Sequence, residues 1–141
     1  MTRIYWDTML FIYWLEGSSP QSKRVGSVHR SMQERGDELC TSVFTLGEVL
    51  TKPYQRQAGA AVKQIKADLA PPLVRLIPLS AEVADRYAQV RARHRVSPAD
   101  AIHLASAASI GANLFLTNDR ALTRLTVEGI DFIAPLDVSL L

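Results

Sequence analysis

Four acidic side chains stand directly after apolar, strand-like runs or in the first turn of a predicted helix. They are Asp7, Glu48, Asp100 and Asp119. Asp7, for example, is the first polar residue after the β-branched and aromatic run at residues 4–6. In a parallel sheet with right-handed crossovers, such positions lie toward one edge of the sheet. The four carboxylates are therefore candidates for a single site.

Gathering these carboxylates requires a compensating charge. Two unit charges about 5 Å apart repel by about 3 kcal/mol at an effective dielectric constant near 20. Carboxylate oxygens without neighbouring thiolates or paired imidazoles favour Mg²⁺ or Mn²⁺ over zinc. Such a cation can activate water and neutralise a phosphoryl group, so the chemistry indicated is phosphodiester hydrolysis. Basic helix faces, such as those at residues 52–66 and 91–95, could hold the nucleic-acid backbone.

Each acid also has a purely structural interpretation, because acids suit helix starts. Asp7 could cap a helix beginning near Met9, and Glu48 could close a capping box opened by Thr45. Asp100 is a favourable third-position acid after Ser97, and Asp119 could cap a helix before Ala121. Serine, threonine or asparagine would cap equally well without gathering charge, which favours a functional role for the set.

Strand and helix signals alternate along most of the chain. Strands are predicted at residues 4–6, 39–44, 73–77 and 114–117, with a short final strand at 131–134. Helices are predicted at residues 9–15, 21–35, 45–52, 57–69, 80–90, 97–110 and after 118–119, with Pro53 ending or kinking the third. Ser80 and Ser97 are predicted N-caps. This alternation predicts one α/β domain over residues 1–141, with a parallel sheet covered on both faces.

Composition narrows the class of protein further. The chain has 141 residues, of which 48% are hydrophobic and 21% charged, as in ordinary globular proteins. The longest apolar run, residues 9–15, is far shorter than the ~20 residues that cross a bilayer, so we expect a cytoplasmic protein without a membrane anchor. A formal charge of +2 is too small to indicate nucleic-acid binding by itself. The one cysteine, Cys40, is expected to be a buried apolar side chain.

Four segments together resemble the acidic motifs of the PIN-domain family, and more narrowly of the VapC-type toxins of bacterial toxin–antitoxin pairs. They are Tyr-Trp-Asp-Thr at 5–8, Thr-Leu-Gly-Glu-Val at 45–49, Ser-Pro-Ala-Asp-Ala-Ile-His-Leu-Ala at 97–105 and Leu-Thr-Asn-Asp-Arg-Ala-Leu at 116–122. The resemblance implies a three-layer α/β/α fold with a central parallel sheet of four to five strands. It further implies a Mg²⁺- or Mn²⁺-dependent endoribonuclease, a VapB-type antitoxin that occludes the site, and a homodimer.

The resemblance also assigns roles to residues. Asp7, Asp100 and Asp119 would be metal ligands, directly or through water, and Glu48 would be a ligand or would orient water at the metal. Three polar residues would line the pocket, namely Thr8, Thr117 and Asn118. His103 lies one turn beyond Asp100, where it could contact substrate or an acid, although a packed or hydrogen-bonded helix residue is the favoured interpretation.

Three other functions are compatible with an α/β domain that carries acids at its strand ends. A phosphatase of the aspartyl-phosphate type needs a second aspartate two residues after the first, where this chain has Met9. A phospho-acceptor receiver domain needs an acidic pair at the first strand and a late lysine, and no lysine follows Lys66. A non-catalytic module that binds RNA or protein stays open, as do the RNA target and the number of metal ions.

Overall fold

The computed structural model describes residues 2–137, in which strands and helices alternate. The strands are β1 (Arg3–Trp6), β2 (Glu38–Ser42), β3 (Arg75–Ile77), β4 (Leu114–Thr117) and β5 (Phe132–Pro135). The helices are α1 (Thr8–Glu16), α2 (Pro20–Arg35), α3 (Val43–Gln55), α4 (Gly59–Asp68), α5 (Ala81–Arg93) and α6 (Pro98–Ser109), and a 3-10 turn lies at Leu122–Arg124.

The five strands form one parallel sheet in the order β3-β2-β1-β4-β5. The predicted three-layer α/β fold, with a parallel sheet of four to five strands, is confirmed. Ile4 of the central strand β1 pairs with Leu39 of β2 on one side and with Leu114 of β4 on the other. The strand order therefore reverses between β1 and β4. In open α/β sheets, ligands bind in the crevice outside the strand ends at such a reversal.

Two adjacent side chains of β1 anchor the two layers that cover the sheet. Trp6 packs with Phe11 of α1, in a core that the residues of α1 to α4 complete. Tyr5 points to the opposite face and stacks on Phe115, in a core that α5 and α6 complete. Full burial of each such ring contributes up to about 3 kcal/mol. The alternation of a strand thus fixes the side on which each helix lies.

Two helix starts follow the local sequence as predicted. The Ser80 hydroxyl accepts a hydrogen bond from the Val83 amide at the start of α5. The Ser97 hydroxyl accepts one from the Asp100 amide at the start of α6, where Pro98 takes the tolerated first position. These caps fix where α5 and α6 begin.

The predicted capping box of Thr45 and Glu48 is wrong. Helix α3 begins three residues earlier, because Ser42 is its N-cap and accepts a hydrogen bond from the Phe44 amide. Thr45 is fully buried inside the helix, and its hydroxyl pairs with that of Thr41 at 2.7 Å. Glu48 is therefore one and a half turns into the helix, which leaves its carboxylate available for other contacts.

Two other local predictions also need correction. Pro53 does not end α3, which continues to Gln55; a proline in the last turn removes only one of the helical hydrogen bonds. After Asp119 the chain forms a 3-10 turn instead of a helix, and it is extended again at Leu125. None of the helices that the structure describes is both long enough and apolar enough to span a membrane.

Candidate active site

A cleft of about 290 Å³ opens where β1 ends and α1 begins, next to α3 and the first turn of α6. Three of the four predicted acids, Asp7, Glu48 and Asp100, line it together. Its remaining lining residues are Thr8, Met9, Ile12, Ala99 and His103. We refer to it as the acidic cleft. Parallel strands with crossovers bring these residues together from positions up to 96 residues apart in the sequence.

Asp7 is placed as an N-cap but does not act as one. Its side chain makes no well-formed hydrogen bond to the first turn of α1, although the Leu10 amide lies near enough to favour its charged form. One carboxylate oxygen, Oδ2, accepts a hydrogen bond from the Thr117 hydroxyl at the end of β4. The other, Oδ1, is buried and has no hydrogen-bond partner. A buried oxygen without a donor is costly, so the helix-start interpretation does not explain why this residue is an aspartate.

Burial raises the pKa of Asp7, and the nearby charge of Asp100 raises it further. The hydrogen bond from Thr117, the electrostatic influence of His103 and the backbone amide of Leu10 oppose the increase but do not cancel it. Negative charge at this point of the cleft is thus insufficiently compensated by the protein. A cation placed beside Oδ1 would relieve both the missing hydrogen bond and the repulsion from Asp100.

Glu48 lies in the same cleft in a different environment. Its Oε1 atom accepts hydrogen bonds from the Thr8 hydroxyl at 2.5 Å and from His103 Nε2 at 3.0 Å. Burial alone would raise the pKa of Glu48, but the hydrogen bonds from His103 and Thr8 outweigh it and hold that pKa below its ordinary value. Glu48 is therefore ionised at neutral pH, with its charge compensated within the protein.

The fourth acid, Asp119, is not among the lining residues of the cleft in the described part of the chain. Its Oδ1 atom accepts a hydrogen bond from the Ala121 amide, and its own amide donates to the hydroxyl of Thr117. Since that hydroxyl in turn donates to Asp7, Asp119 is one hydrogen-bonded residue away from the cleft. Asn118, predicted to line the pocket, instead donates to the Tyr13 hydroxyl at 3.0 Å.

A family model for the PIN domain matches residues 4–128, which is most of the chain and includes all four acids. The chain belongs to the PIN domain family. This match, which extends over residues 4–128, confirms the family predicted from the four motifs. No curated protein matches the sequence.

Solved structures of similar fold are distant in sequence from this PIN domain. A structure of FitAB bound to an IR36 DNA fragment matches with a TM-score of 0.71 and 19% identity, over 94% of each chain. DNA-bound VapBC from Salmonella typhimurium matches with a TM-score of 0.68 and 19% identity, over 96% of this chain and 99% of that one. VapBC2 from Rickettsia felis, bound to a promoter DNA fragment, gives a TM-score of 0.65 and 13% identity, over 95% and 98%.

The donor set of this PIN domain suits a hard divalent cation held by few protein ligands. Among residues 2–137, no three Asp, Glu, His or Cys side chains come together closely enough to hold a metal ion. Asp7 and Asp100 nevertheless supply carboxylate oxygens to one cleft, and Asp7 Oδ1 is buried without a donor. Mg²⁺ is commonly bound through one or two carboxylates while it keeps several waters. The residues present therefore fit such an ion at Asp7 and Asp100.

The residue that sequence analysis underestimated is His103. Only 4% of it is exposed, and both ring nitrogens are hydrogen-bonded, Nδ1 to the Tyr5 hydroxyl at 2.7 Å and Nε2 to Glu48. It is thus a buried helix residue, as favoured, and also the partner of a cleft acid. The one signal in the sequence is its spacing of three from Asp100, which puts both on one face of α6.

Proposed function

We propose that this PIN domain is a metal-dependent endoribonuclease that hydrolyses RNA phosphodiester bonds. The observation that carries the proposal is the convergence of Asp7, Glu48 and Asp100 in one cleft, with a buried Asp7 oxygen that has no donor. A purely structural role would satisfy each carboxylate at its own helix start. Only the Asp119 carboxylate accepts such a local amide hydrogen bond in the described structure.

Each cleft residue has a distinct part in the proposed reaction. Asp7 and Asp100 would hold Mg²⁺ or Mn²⁺, which supplies positive charge to the phosphoryl oxygens. Thr117 fixes the orientation of Asp7 through its hydrogen bond. Glu48 would orient the attacking water and accept one of its protons. The water oxygen bonds to phosphorus while the bond to the leaving ribose oxygen breaks, and that oxygen takes a proton from solvent.

Asp119 keeps a supporting role in this proposal. Its amide donates to Thr117 Oγ1, which constrains the hydroxyl that binds Asp7. Its predicted function as a metal ligand would need its carboxylate to leave the Ala121 amide or to act through water. Thr8 is proposed to act on Glu48, and Asn118 to fix the position of α1 through Tyr13.

An antitoxin is the proposed protein partner, and a homodimer the proposed assembly, both in the cytoplasm. One structure of similar fold is a toxin–antitoxin complex from Klebsiella pneumoniae, and the resemblance names a VapB-type antitoxin. A larger groove of about 670 Å³ shares Ile12 and Glu48 with the acidic cleft. Its walls include Leu15, Val49 and Ile65. A partner segment in that groove would also cover the cleft, which accounts for inhibition.

The test compares wild type with Asp100→Asn on a mixed pool of labelled RNA oligonucleotides, with Mg²⁺, Mn²⁺ or a chelator. Wild type should cleave only with a metal ion. Asp100→Asn should cleave at least about 10²-fold more slowly, because it removes one of two charged ligands. If a reading frame beside this gene encodes a small DNA-binding protein, adding that protein should stop cleavage by wild type.

Asp85→Asn is the matched control, since Asp85 is an exposed aspartate on α5 that bonds Gln89. It should retain the wild-type rate. Full metal-dependent cleavage by purified Asp100→Asn would refute the assignment of the site. RNA binding by wild type without cleavage under any condition would instead establish the non-catalytic module.

A further inference from the structure

A buried chain of hydrogen bonds runs from the core of the α6 layer to the acidic cleft. It passes from the Tyr5 hydroxyl to His103 Nδ1 at 2.7 Å, and from His103 Nε2 to Glu48 Oε1 at 3.0 Å. Thr8 closes it, with its hydroxyl 2.5 Å from the same Glu48 oxygen and 3.1 Å from His103 Nε2. The aromatic side chains of Tyr5 and Phe44 pack against the imidazole and hold its plane.

The direction of these bonds follows from the donors available. The ionised Glu48 carboxylate can only accept, so Nε2 of His103 carries a hydrogen and donates to it, and the Thr8 hydroxyl is a second donor to the same oxygen. In the neutral imidazole, Nδ1 then accepts from the Tyr5 hydroxyl. Both bonds to Glu48 end on Oε1, so Oε2 of Glu48 keeps its capacity to accept.

The acids of the cleft are thereby divided into two groups. The Asp7 carboxylate is held by Thr117 through Oδ2, and its buried Oδ1 has no donor. The Glu48 carboxylate is instead held through Oε1 by two donors, His103 and Thr8. The three carboxylates thus share the acidic cleft but differ in the partners that hold them.

We propose that His103 is a positioning residue that holds Glu48 outside the coordination shell of a cation bound by Asp7 and Asp100, which reserves the carboxylate for water. The proposal rests on the nuclease function above and deepens it. A carboxylate within reach of a divalent cation would otherwise bind it directly, because charge attracts it there. The two donors on Oε1 provide the competing attraction, with Thr8 assisting His103.

This role makes an unusual prediction for variants, namely tighter metal binding together with slower turnover. In His103→Leu, Glu48 is free to become a third ligand, so the affinity for Mn²⁺ should rise about 10-fold, which is opposite to the loss that usually follows removal of a residue that supports a metal ligand. The kcat for RNA should fall about 10-fold, because water is no longer oriented, while KM changes little. A merely structural role for His103 would weaken or leave unchanged both properties.

Three further variants make the interpretation specific. His103→Leu combined with Glu48→Gln should lose the gain in Mn²⁺ affinity, since the added ligand is then absent. His103→Gln retains an amide donor near the position of Nε2 and should return both properties toward wild type. Ser106→Ala, which removes a buried hydroxyl bonded to the Ile102 carbonyl of the same helix, should alter neither.

Mn²⁺ affinity is measured by titration calorimetry on the intact protein and needs no RNA cleavage. A folded His103→Leu protein with unchanged or weaker Mn²⁺ binding overturns the proposal, as does a lack of Mn²⁺ binding by both proteins. If His103→Leu does not fold, Thr8→Val at the cleft surface replaces it and should show the same two changes at smaller size; its failure to do so overturns the proposal. Absence of cleavage by a wild type that binds Mn²⁺ refutes the nuclease function alone.

Discussion

At Asp7 the chain buries a carboxylate oxygen, Oδ1, that meets no hydrogen-bond donor. The second oxygen accepts a hydrogen bond from the Thr117 hydroxyl, so the fold supplies a donor to only one of the two carboxylate oxygens. Burial and the neighbouring Asp100 both raise its pKa. Such a group is maintained at the expense of stability, as functional sites often are. The conflict between folding and function is therefore located at a single side chain.

Asp7→Asn should stabilise the protein at neutral pH by about 1 kcal/mol while it abolishes RNA cleavage. Because folding raises the pKa of Asp7, the folded state holds the proton more tightly than the unfolded chain does. The contribution of Asp7 to stability is complete below its ordinary pKa of 3.8 and is lost as the pH rises through the raised, folded-state pKa. The advantage of asparagine should therefore be present at pH 7 and should shrink toward pH 3.

Urea unfolding at several pH values, without divalent ions, measures this difference. Asp85→Asn on the exposed face of α5 provides the baseline for an aspartate-to-asparagine change and should show no such pH-dependent gain. An Asp7→Asn protein that is less stable than wild type at pH 7 would contradict the idea that Asp7 opposes folding.

The candidate site could be partly predicted from residue types alone. Asp7, Glu48 and Asp100 each follow a strand or lie near a helix start, which predicts a shared site, and they do line one cleft. The hydrogen bond between Tyr5 and His103 was not predictable, because it joins residues 98 apart through the packing of α6 on β1. The sequence also predicts Asp119 as part of the site. Its carboxylate instead accepts a hydrogen bond from the nearby Ala121 amide and does not line the cleft.

Two glycines that look alike in the sequence have opposite roles in their elements. Gly26 lies within α2, and a Cβ atom there would meet nothing within 4 Å. Gly129 has φ +97° in the connection to β5, and a Cβ atom there would lie 2.9 Å from the Ala108 carbonyl oxygen of α6. This glycine lets the connection pass directly over the helix.

Replacing each glycine by alanine should change stability in opposite directions. Gly26→Ala should stabilise by up to about 1 kcal/mol, because alanine is the better helix former. Gly129→Ala should destabilise by more than about 1 kcal/mol, since it adds both a steric clash and an unfavourable φ. Chemical unfolding of the two variants and wild type measures both effects. Equal effects of the two changes would show that the contact at Ala108 does not constrain the connection.

The start of a helix could be predicted where a local N-cap sets it. It could not be predicted where the burial of a candidate cap residue moves the start elsewhere. Ser80 and Ser97 cap as expected, each accepting a hydrogen bond from the amide three residues later. The Thr45–Glu48 pattern is also typical of a helix start. Thr45 is nevertheless buried, with its hydroxyl bonded to that of Thr41, and Ser42 is the N-cap of α3. The competing interaction comes from β2, so it cannot be read from the helix sequence.

At the scale of the whole molecule, the sheet joins two separate cores. Alternating elements and right-handed crossovers restrict the sheet to a few strand orders, of which this chain has β3-β2-β1-β4-β5. The buried run at residues 4–6 favours β1, because a central strand is covered on both faces. Trp6 belongs to the core under α1 to α4, and Tyr5 to the core under α5 and α6.

Because adjacent residues of one strand anchor both cores, neither layer should persist without the other, and unfolding should be a single cooperative transition. The chain provides a probe for each side. Its two tryptophans, Trp6 and Trp14, report on one core, and its one cysteine, Cys40, belongs to the other. In the folded state Cys40 is fully buried, and burial raises its pKa to about 12, so it should resist a thiol reagent.

Pulsed labelling of Cys40 across a urea series should therefore give the same midpoint as tryptophan fluorescence. The thiol becomes reactive only when β2 is exposed between the two layers, and that exposure also removes the surface on which Trp6 packs. Labelling at a lower urea concentration than the fluorescence change would show that the α5–α6 layer opens by itself. In that case the bond from His103 to Glu48 would break before the remainder of the cleft is lost, and RNA cleavage would fail together with the labelling transition.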